Sequence, residues 1–192
     1  MKVLELPGGE ALLDEGFLPP EDADRLFAAL RREIPWENET ITLFGREVPV
    51  PRLVSWHGDP GASYAYSGVR HQPKPWTPAL RELEPRVEAA AEAAFNSVLA
   101  NLYRSGADGM SWHADDEREL GPEPVIASVS LGAPRVFRLK RRDGTAKLEV
   151  ALPHGSLLIM RGGTQELWLH SVPKTAKPVG ERINLTFRWI EG

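Results

Sequence analysis

The chain has 192 residues, 42% of them hydrophobic and 26% charged, the make-up of one globular domain long enough to bury a proper core. Cysteine is absent, which excludes disulfides and thiolate metal sites, so any metal must be held by histidine and carboxylate. A net charge of −4 excludes a protein held on nucleic acid by bulk charge, although residues 135–147 are locally basic and residues 111–123 acidic.

Met1 to Pro20 shows no basic start followed by an apolar run, and no apolar stretch reaches membrane-spanning length. A cytoplasmic monomer with no membrane partner is therefore expected. Pro20 to Ile34 reads as an amphipathic helix: Leu26, Phe27, Leu30 and Ile34 recur at helical spacing, and Glu21, Asp22 and Asp24 suit its N-terminal dipole. Residues 35–75, rich in Pro, Gly and aromatic residues, read as hairpins and loops. Thr77-Pro78 supplies an N-cap followed by proline at the first helical position, predicting a helix towards Ala94 with a possible kink at Pro85.

From Phe95 the period changes to two. Candidate strands are Phe95–Arg104, Val125–Leu131, Arg135–Lys140, Lys147–Leu152, Ser156–Met160, Glu166–Ser171 and Arg182–Ile190, punctuated by Gly and Pro turns. The 17 Gly and 17 Pro favour a β-rich domain over a helix bundle. Helices packed before a sandwich or jelly roll make the expected class α+β.

The stretch from Arg182 to Trp189 alternates without a break. Arg182, Asn184, Thr186 and Arg188 share one strand face, and Ile183, Leu185, Phe187 and Trp189 the other. Two arginines on one face make an anion-binding arrangement. Upstream, His113 and Asp115 stand two apart, and His170 lies in the apolar segment Leu167-Trp168-Leu169. Two His and one carboxylate form the ligand set of non-haem Fe(II) oxygenases, leaving positions open for a 2-oxo acid and dioxygen. Alone, a His-x-Asp is most often a surface loop, and a histidine in an apolar segment is most often a core residue bonded to a carbonyl. His57, His71 and His154 stand in loop-like contexts. Asn101 and Tyr103, again two apart, have the amide and hydroxyl to hold a distal carboxylate together with Arg182.

These residues resemble a family. Asn101-x-Tyr103, His113-x-Asp115, His170 and Arg182-x-Asn184-x-Thr186-x-Arg188 are similar to the motifs of the AlkB-type Fe(II)/2-oxoglutarate dioxygenases, especially the homologues that repair alkylated DNA. The likeness spans about residues 36–190 and includes Pro51-Arg52, Tyr64-Ala65-Tyr66-Ser67-Gly68, Pro73-Lys74-Pro75-Trp76, Ile126-Ala127-Ser128-Val129-Ser130 and His154-Gly155-Ser156-Leu157-Leu158. The resemblance implies a double-stranded β-helix (a jelly roll) in a single domain, with a nucleotide-recognition lid and supporting helix over about 36–94 and the jelly-roll core over about 95–190. By the same resemblance His113, Asp115 and His170 bind Fe(II), and Asn101, Tyr103, Arg182, Asn184 and Arg188 bind 2-oxoglutarate, with Arg182 on the distal carboxylate. Arg188 faces either the proximal carboxylate or Asp115.

The implied reaction is oxidative dealkylation of N-alkylated bases in DNA, releasing formaldehyde, succinate and CO2. Damaged bases such as 1-methyladenine and 3-methylcytosine carry positive charge and pair poorly, so they flip at low cost. A pocket for them needs an aromatic face and an acidic edge. Tyr64 and Tyr66, with Asp116 and Glu117, are the candidates, and Phe44 resembles a wedge that enters the stack a flipped base leaves. Arg135 to Lys147 is the candidate phosphate contact, or else a solvated hairpin. Alternatives are a demethylase of methylated RNA, a 2-oxoglutarate hydroxylase of protein or small molecules, and a binding jelly roll with an incidental His-x-Asp.

Overall fold

A computed structural model describes residues 1–43, 46–62, 64–66 and 69–191, with backbone alone described at 41–43, 46–47, 64–66 and 69–71. Strands β1 (Lys2–Leu4) and β2 (Glu10–Asp14) precede helix α1 (Pro20–Glu33). Strands β3 (Glu37–Leu43), β4 (Arg46–Gly58), β5 (Tyr64–Tyr66) and β6 (Val69–His71) follow, then helix α2 (Pro78–Ala91). The remainder is β7 (Ser97–Tyr103), β8 (Met110–His113), β9 (Ile126–Gly132), β10 (Arg135–Arg141), β11 (Lys147–Leu152), β12 (Ser156–Arg161), a single helical turn α3 (Thr164–Leu167), β13 (Trp168–Val172) and β14 (Arg182–Arg188).

Both long helices begin where their sequences require. Pro20 and Pro78 occupy first-turn positions, and the Thr77 hydroxyl accepts from the Leu80 amide. Helix α2 continues through Pro85 to Ala91. It stops at Glu92, whose left-handed backbone (φ 52°) caps the last turn.

An eight-stranded sheet runs β1-β2-β12-β9-β14-β7-β4-β3, and a four-stranded sheet runs β11-β10-β13-β8; β5 and β6 form a separate hairpin. One face of the large sheet packs on the helices: Leu26, Leu30, Leu80, Leu83 and Val87 meet Val98, Ala100, Leu102, Ile183, Leu185 and Phe187. A second cluster, including Leu13, Tyr103, Ile126, Phe137, Leu158, Met160 and Trp168, fills the space between the two sheets. Two packed antiparallel sheets with helices on one outer face are the expected α+β jelly roll.

The chain crosses from β9 in the large sheet to β10 in the small one through Gly132, at φ +87°. A Cβ there would strike the Glu181 carbonyl, so glycine is required.

Residues 37–58, expected as hairpin and loop, form the antiparallel pair β3–β4, and β4 adds to the large sheet alongside β7. The edge strand β8 was not expected. Strand β13 begins two residues later than the predicted Glu166, because Thr164–Leu167 turn helically first. Trp189, placed by alternation on the apolar face, is instead 51% exposed. Pairing ends at Arg188↔Ser97, where β7 begins, and beyond it Asn96 binds both the amide and the carbonyl of Ile190. No helix among the described residues is long and apolar enough to cross a membrane.

Candidate metal centre and cosubstrate site

Strand register assembles the site. His170 on β13 is the direct cross-strand partner of His113 on β8, and their ring centroids lie 4.2 Å apart. Asp115 follows just beyond β8, and the ligand atoms of His113, Asp115 and His170 all lie within 4.8 Å of one another. On the facing sheet, Arg182↔Tyr103 and Asn184↔Asn101 are partners across β14 and β7. One pocket between the sheets is therefore walled by both groups.

The donor set fits a divalent iron. His113 Nδ1 donates to the Ser111 carbonyl (2.8 Å), which can only accept, so the neutral ring keeps its Nε2 lone pair for a metal. Burial drives His170 down to about 3, against the pull of Asp115, so its ring is neutral at physiological pH. Phe137 stacks on it at 5.3 Å. For Asp115, burial would raise the pKa, but neighbouring positive charge, that of Arg188 first, outweighs it and holds the group below the ordinary carboxylate range. Arg188 Nη2 donates to Asp115 Oδ1, and the Asp115 amide donates to Gln165 Oε1 (2.9 Å), so side chain and backbone are both braced.

The cosubstrate side carries a donor set suited to an anion. Arg182 is 1% exposed, and its Nη2 donates to Ser130 Oγ (2.9 Å). Its Nε and Nη1 are buried with no partner, among the few such atoms in the described residues. Burial pushes this guanidinium below its ordinary range, and its carbon sits 5.1 Å from the Tyr103 ring centroid. A buried arginine with two idle donors is costly unless a ligand takes them, and a carboxylate matches their fork.

The family model for the 2OG-Fe(II) oxygenase superfamily matches residues 10–188. The chain belongs to this superfamily, in its AlkB branch. Alpha-ketoglutarate-dependent dioxygenase alkB homolog 3 from Homo sapiens is 40% identical over 91% of this chain and 64% of that protein. DNA oxidative demethylase ALKBH2 is 39% identical in Homo sapiens, over 88% of this chain and 69% of that protein, and in Mus musculus over 75% of that protein. The chain thus spans just under two thirds of the length of the alkB homolog 3 relatives (64%). The solved structure of OsALKBH1, 20% identical, aligns with a TM-score of 0.67 over 96% of this chain and 99% of that one, a likeness of fold. The superfamily implies Fe(II), 2-oxoglutarate and O2, and the His113–Asp115–His170 cluster and idle Arg182 donors match the first two.

The remaining expected residues of this AlkB-like oxygenase divide. Asn101 lines the pocket, but its Oδ1 accepts from Arg52 Nε (2.7 Å), leaving the amide nitrogen for a ligand. Asn184 lines it too, yet its amide donates to Ser128 Oγ (2.7 Å) and its oxygen accepts from Thr186, so it is occupied within the sheet. Of the two alternatives for Arg188, the observed contact is Asp115. Asp116 is exposed and ion-paired with Arg142 (2.6 Å); Glu117 is exposed just before a short 3-10 turn. Tyr64 and Tyr66 pair with His71 and Val69 through their backbones, but their side chains, and Phe44 altogether, lie outside the described residues.

The basic segment needs correction. Arg135 is 4% exposed and spends its donors on the carbonyls of Ser105, Asp108 and Pro173, so it is no phosphate contact. Arg138 pairs with Glu149 and Arg142 with Asp116, which also offsets the hairpin's charge. His57, expected in a loop, is buried in β4 between Ser55 Oγ and the Pro75 carbonyl. Gln165 and Arg52 as braces were not anticipated. Arg52 at least stood in a motif; Gln165 meets Asp115 across 50 residues of chain and left no local signal.

Proposed function

We propose that this chain is an Fe(II)- and 2-oxoglutarate-dependent dioxygenase that dealkylates N-alkylated bases in DNA, of the 1-methyladenine and 3-methylcytosine type. The observation that carries the reading is the pair of idle donors on Arg182, which lines the same pocket as His113, Asp115 and His170. The DNA substrate is supported by ALKBH2, a relative named as a DNA oxidative demethylase.

When bound, Fe(II) supplies oxidation of an N-alkyl carbon by O2, with 2-oxoglutarate giving succinate and CO2. The protein's residues supply placement and electrostatics. His113 Nε2, His170 Nε2 and Asp115 hold the metal, while Arg188 fixes the carboxylate and Gln165 the backbone behind it. Arg182 takes the distal carboxylate through Nε and Nη1, assisted by the Asn101 amide and the Tyr103 hydroxyl. Leu99, Phe137 and Val172 line the same pocket and exclude water from it. Once the alkyl carbon is hydroxylated, the hemiaminal collapses to formaldehyde and the restored base with no need of a protein nucleophile. Tyr64 and Tyr66 stack on the flipped base, Glu117 and Asp116 face its cationic edge, and Phe44 fills the vacated stack. The lid and supporting helix over about 36–94, and the core over about 95–190, belong to this proposal.

The test loads the protein anaerobically with Fe(II) and 2-oxoglutarate, then admits O2 with an oligonucleotide carrying 1-methyladenine or 3-methylcytosine. Formaldehyde and the unmodified base are expected, and chelation of iron should abolish both. Succinate without formaldehyde on either oligonucleotide overturns the DNA substrate; failure to bind 2-oxoglutarate overturns the dioxygenase reading itself.

A further inference from the structure

We infer that Arg135 is a second, concealed cation of the cosubstrate seat: a positioning residue that anchors Tyr103 and adds fixed positive charge, favouring a dicarboxylate 2-oxo acid over a monocarboxylate one. The inference rests on the proposed use of 2-oxoglutarate.

Arg135 opens β10, and its side chain shares the buried inward face with Phe137 and Leu139. Its guanidinium carbon lies 5.6 Å from the centroid of the Tyr103 ring, the same ring that Arg182 approaches to 5.1 Å. One tyrosine thus serves two buried arginines, one from each sheet. Such contacts are stronger once desolvated, and together they fix the ring's position.

The two cations are satisfied differently. Arg135 donates to three carbonyls, of Ser105 (3.2 Å), Asp108 (2.9 Å) and Pro173 (2.7 Å). Those carbonyls belong to the segment from β7 to β8, which leads to His113, and to the residue just after β13, which carries His170. The two terminal nitrogens of Arg135 are thus bonded to neutral carbonyls and not to a carboxylate. The nearby Asp108 carboxylate is taken by Arg104 (2.8 and 2.9 Å). Among the described residues neither Arg135 nor Arg182 forms an ion pair, whereas Arg188 is paired with Asp115. Two arginines without an ion-pair partner among the described residues therefore approach Tyr103, which lines the pocket, and only Arg182 has idle donors. Arg182 is placed to bond a carboxylate directly. Arg135, which does not line the pocket, acts through its field and through Tyr103.

A mere staple would also explain the carbonyl contacts, and the two roles separate by charge. Arg135→Gln keeps two amide donors and loses charge; Arg135→Lys keeps charge but replaces the planar fork, so it cannot reach all three carbonyls as the guanidinium does. Calorimetric titration of the Fe(II)-loaded protein without O2 compares 2-oxoglutarate with 2-oxobutanoate, which lacks the distal carboxylate. Arg135→Gln should weaken 2-oxoglutarate about tenfold, or 1.4 kcal/mol, and 2-oxobutanoate less than about twofold. Arg135→Lys should hold 2-oxoglutarate within about threefold. Equal weakening of both acids by Arg135→Gln, or none, overturns the inference. If Arg135→Gln does not fold, the lysine variant decides alone: loss of its preference for the dicarboxylate overturns the inference, and retention supports it. Wild-type protein that binds neither acid would instead sink the dioxygenase reading, leaving the failures distinct.

Discussion

Ile183, Leu185 and Phe187 on β14 are 0% exposed beneath the helices, while Arg182, Asn184 and Thr186, each displaced by one residue, are only 1%, 8% and 8% exposed towards the pocket. Burial alone does not tell the two faces apart. The difference lies in how each is satisfied. The apolar face is complete on its own, because packing needs no partner outside the chain. The polar face is complete at Asn184 and Thr186 but not at Arg182, where two donors remain idle, nor at Arg188, whose Nε is unpartnered. One strand thus carries a structural half and a half proposed to bind the cosubstrate, where the unpartnered donors lie.

Substitutions on the two faces should separate cleanly. Arg182→Met removes the proposed carboxylate partner, and 2-oxoglutarate affinity should fall by about 3–5 kcal/mol, with the unfolding midpoint held or raised because a buried unpaired charge is gone. Calorimetry and thermal melts on one sample check both, and a large fall in melting temperature would erase the distinction. Leu185→Ala should do the reverse, costing about 3 kcal/mol of stability through its cavity and leaving metal and 2-oxoglutarate affinities of the folded protein unchanged; denaturant titration beside ligand titration tests it. Arg188→Leu, at the far end of the polar face, frees Asp115 from its brace. Metal affinity should drop about 10- to 100-fold with 2-oxoglutarate affinity on metal-saturated protein nearly intact, and an unaltered metal isotherm would remove Arg188 from the centre.

This division was legible in the sequence wherever it depended on alternation. The period of two put Arg182, Asn184, Thr186 and Arg188 together, and His113, Asp115 and His170 stood out by residue type because cysteine was absent. What failed was of two kinds. Trp189 continues the alternation but has no pairing partner because β7 begins only at Ser97, a fact of register between strands distant in sequence. Arg135 heads a run of surface-like basic residues, and only the folded sandwich reveals that its position on the strand turns it inward, away from Arg138. Charge composition is blind to that choice of face. Gln165 and Arg52 escaped for the same reason, since their partners arrive through the tertiary fold.

The smallest expected effect concerns the segment that leads from the polar face of β7 to β8. The Arg104 hydrogen bond, set against burial and reinforced by the Arg104 backbone amide, holds Asp108 below the ordinary carboxylate range. A carboxyl whose pKa is lower folded than unfolded stabilises the protein above its unfolded value, and that stability is lost as pH falls through the folded value. Arg104 is half exposed, so solvent screens the pair and the contribution is about 0.5 kcal/mol. Asp108→Asn should therefore lower stability slightly at pH 7 and flatten the acid limb below about pH 4. Because the Arg135 bond here is to the Asp108 backbone, the same variant should leave 2-oxoglutarate affinity at pH 7 unchanged. A parallel loss of affinity would mean that the Asp108 side chain, and not only its carbonyl, belongs to the ligand-binding half of the molecule.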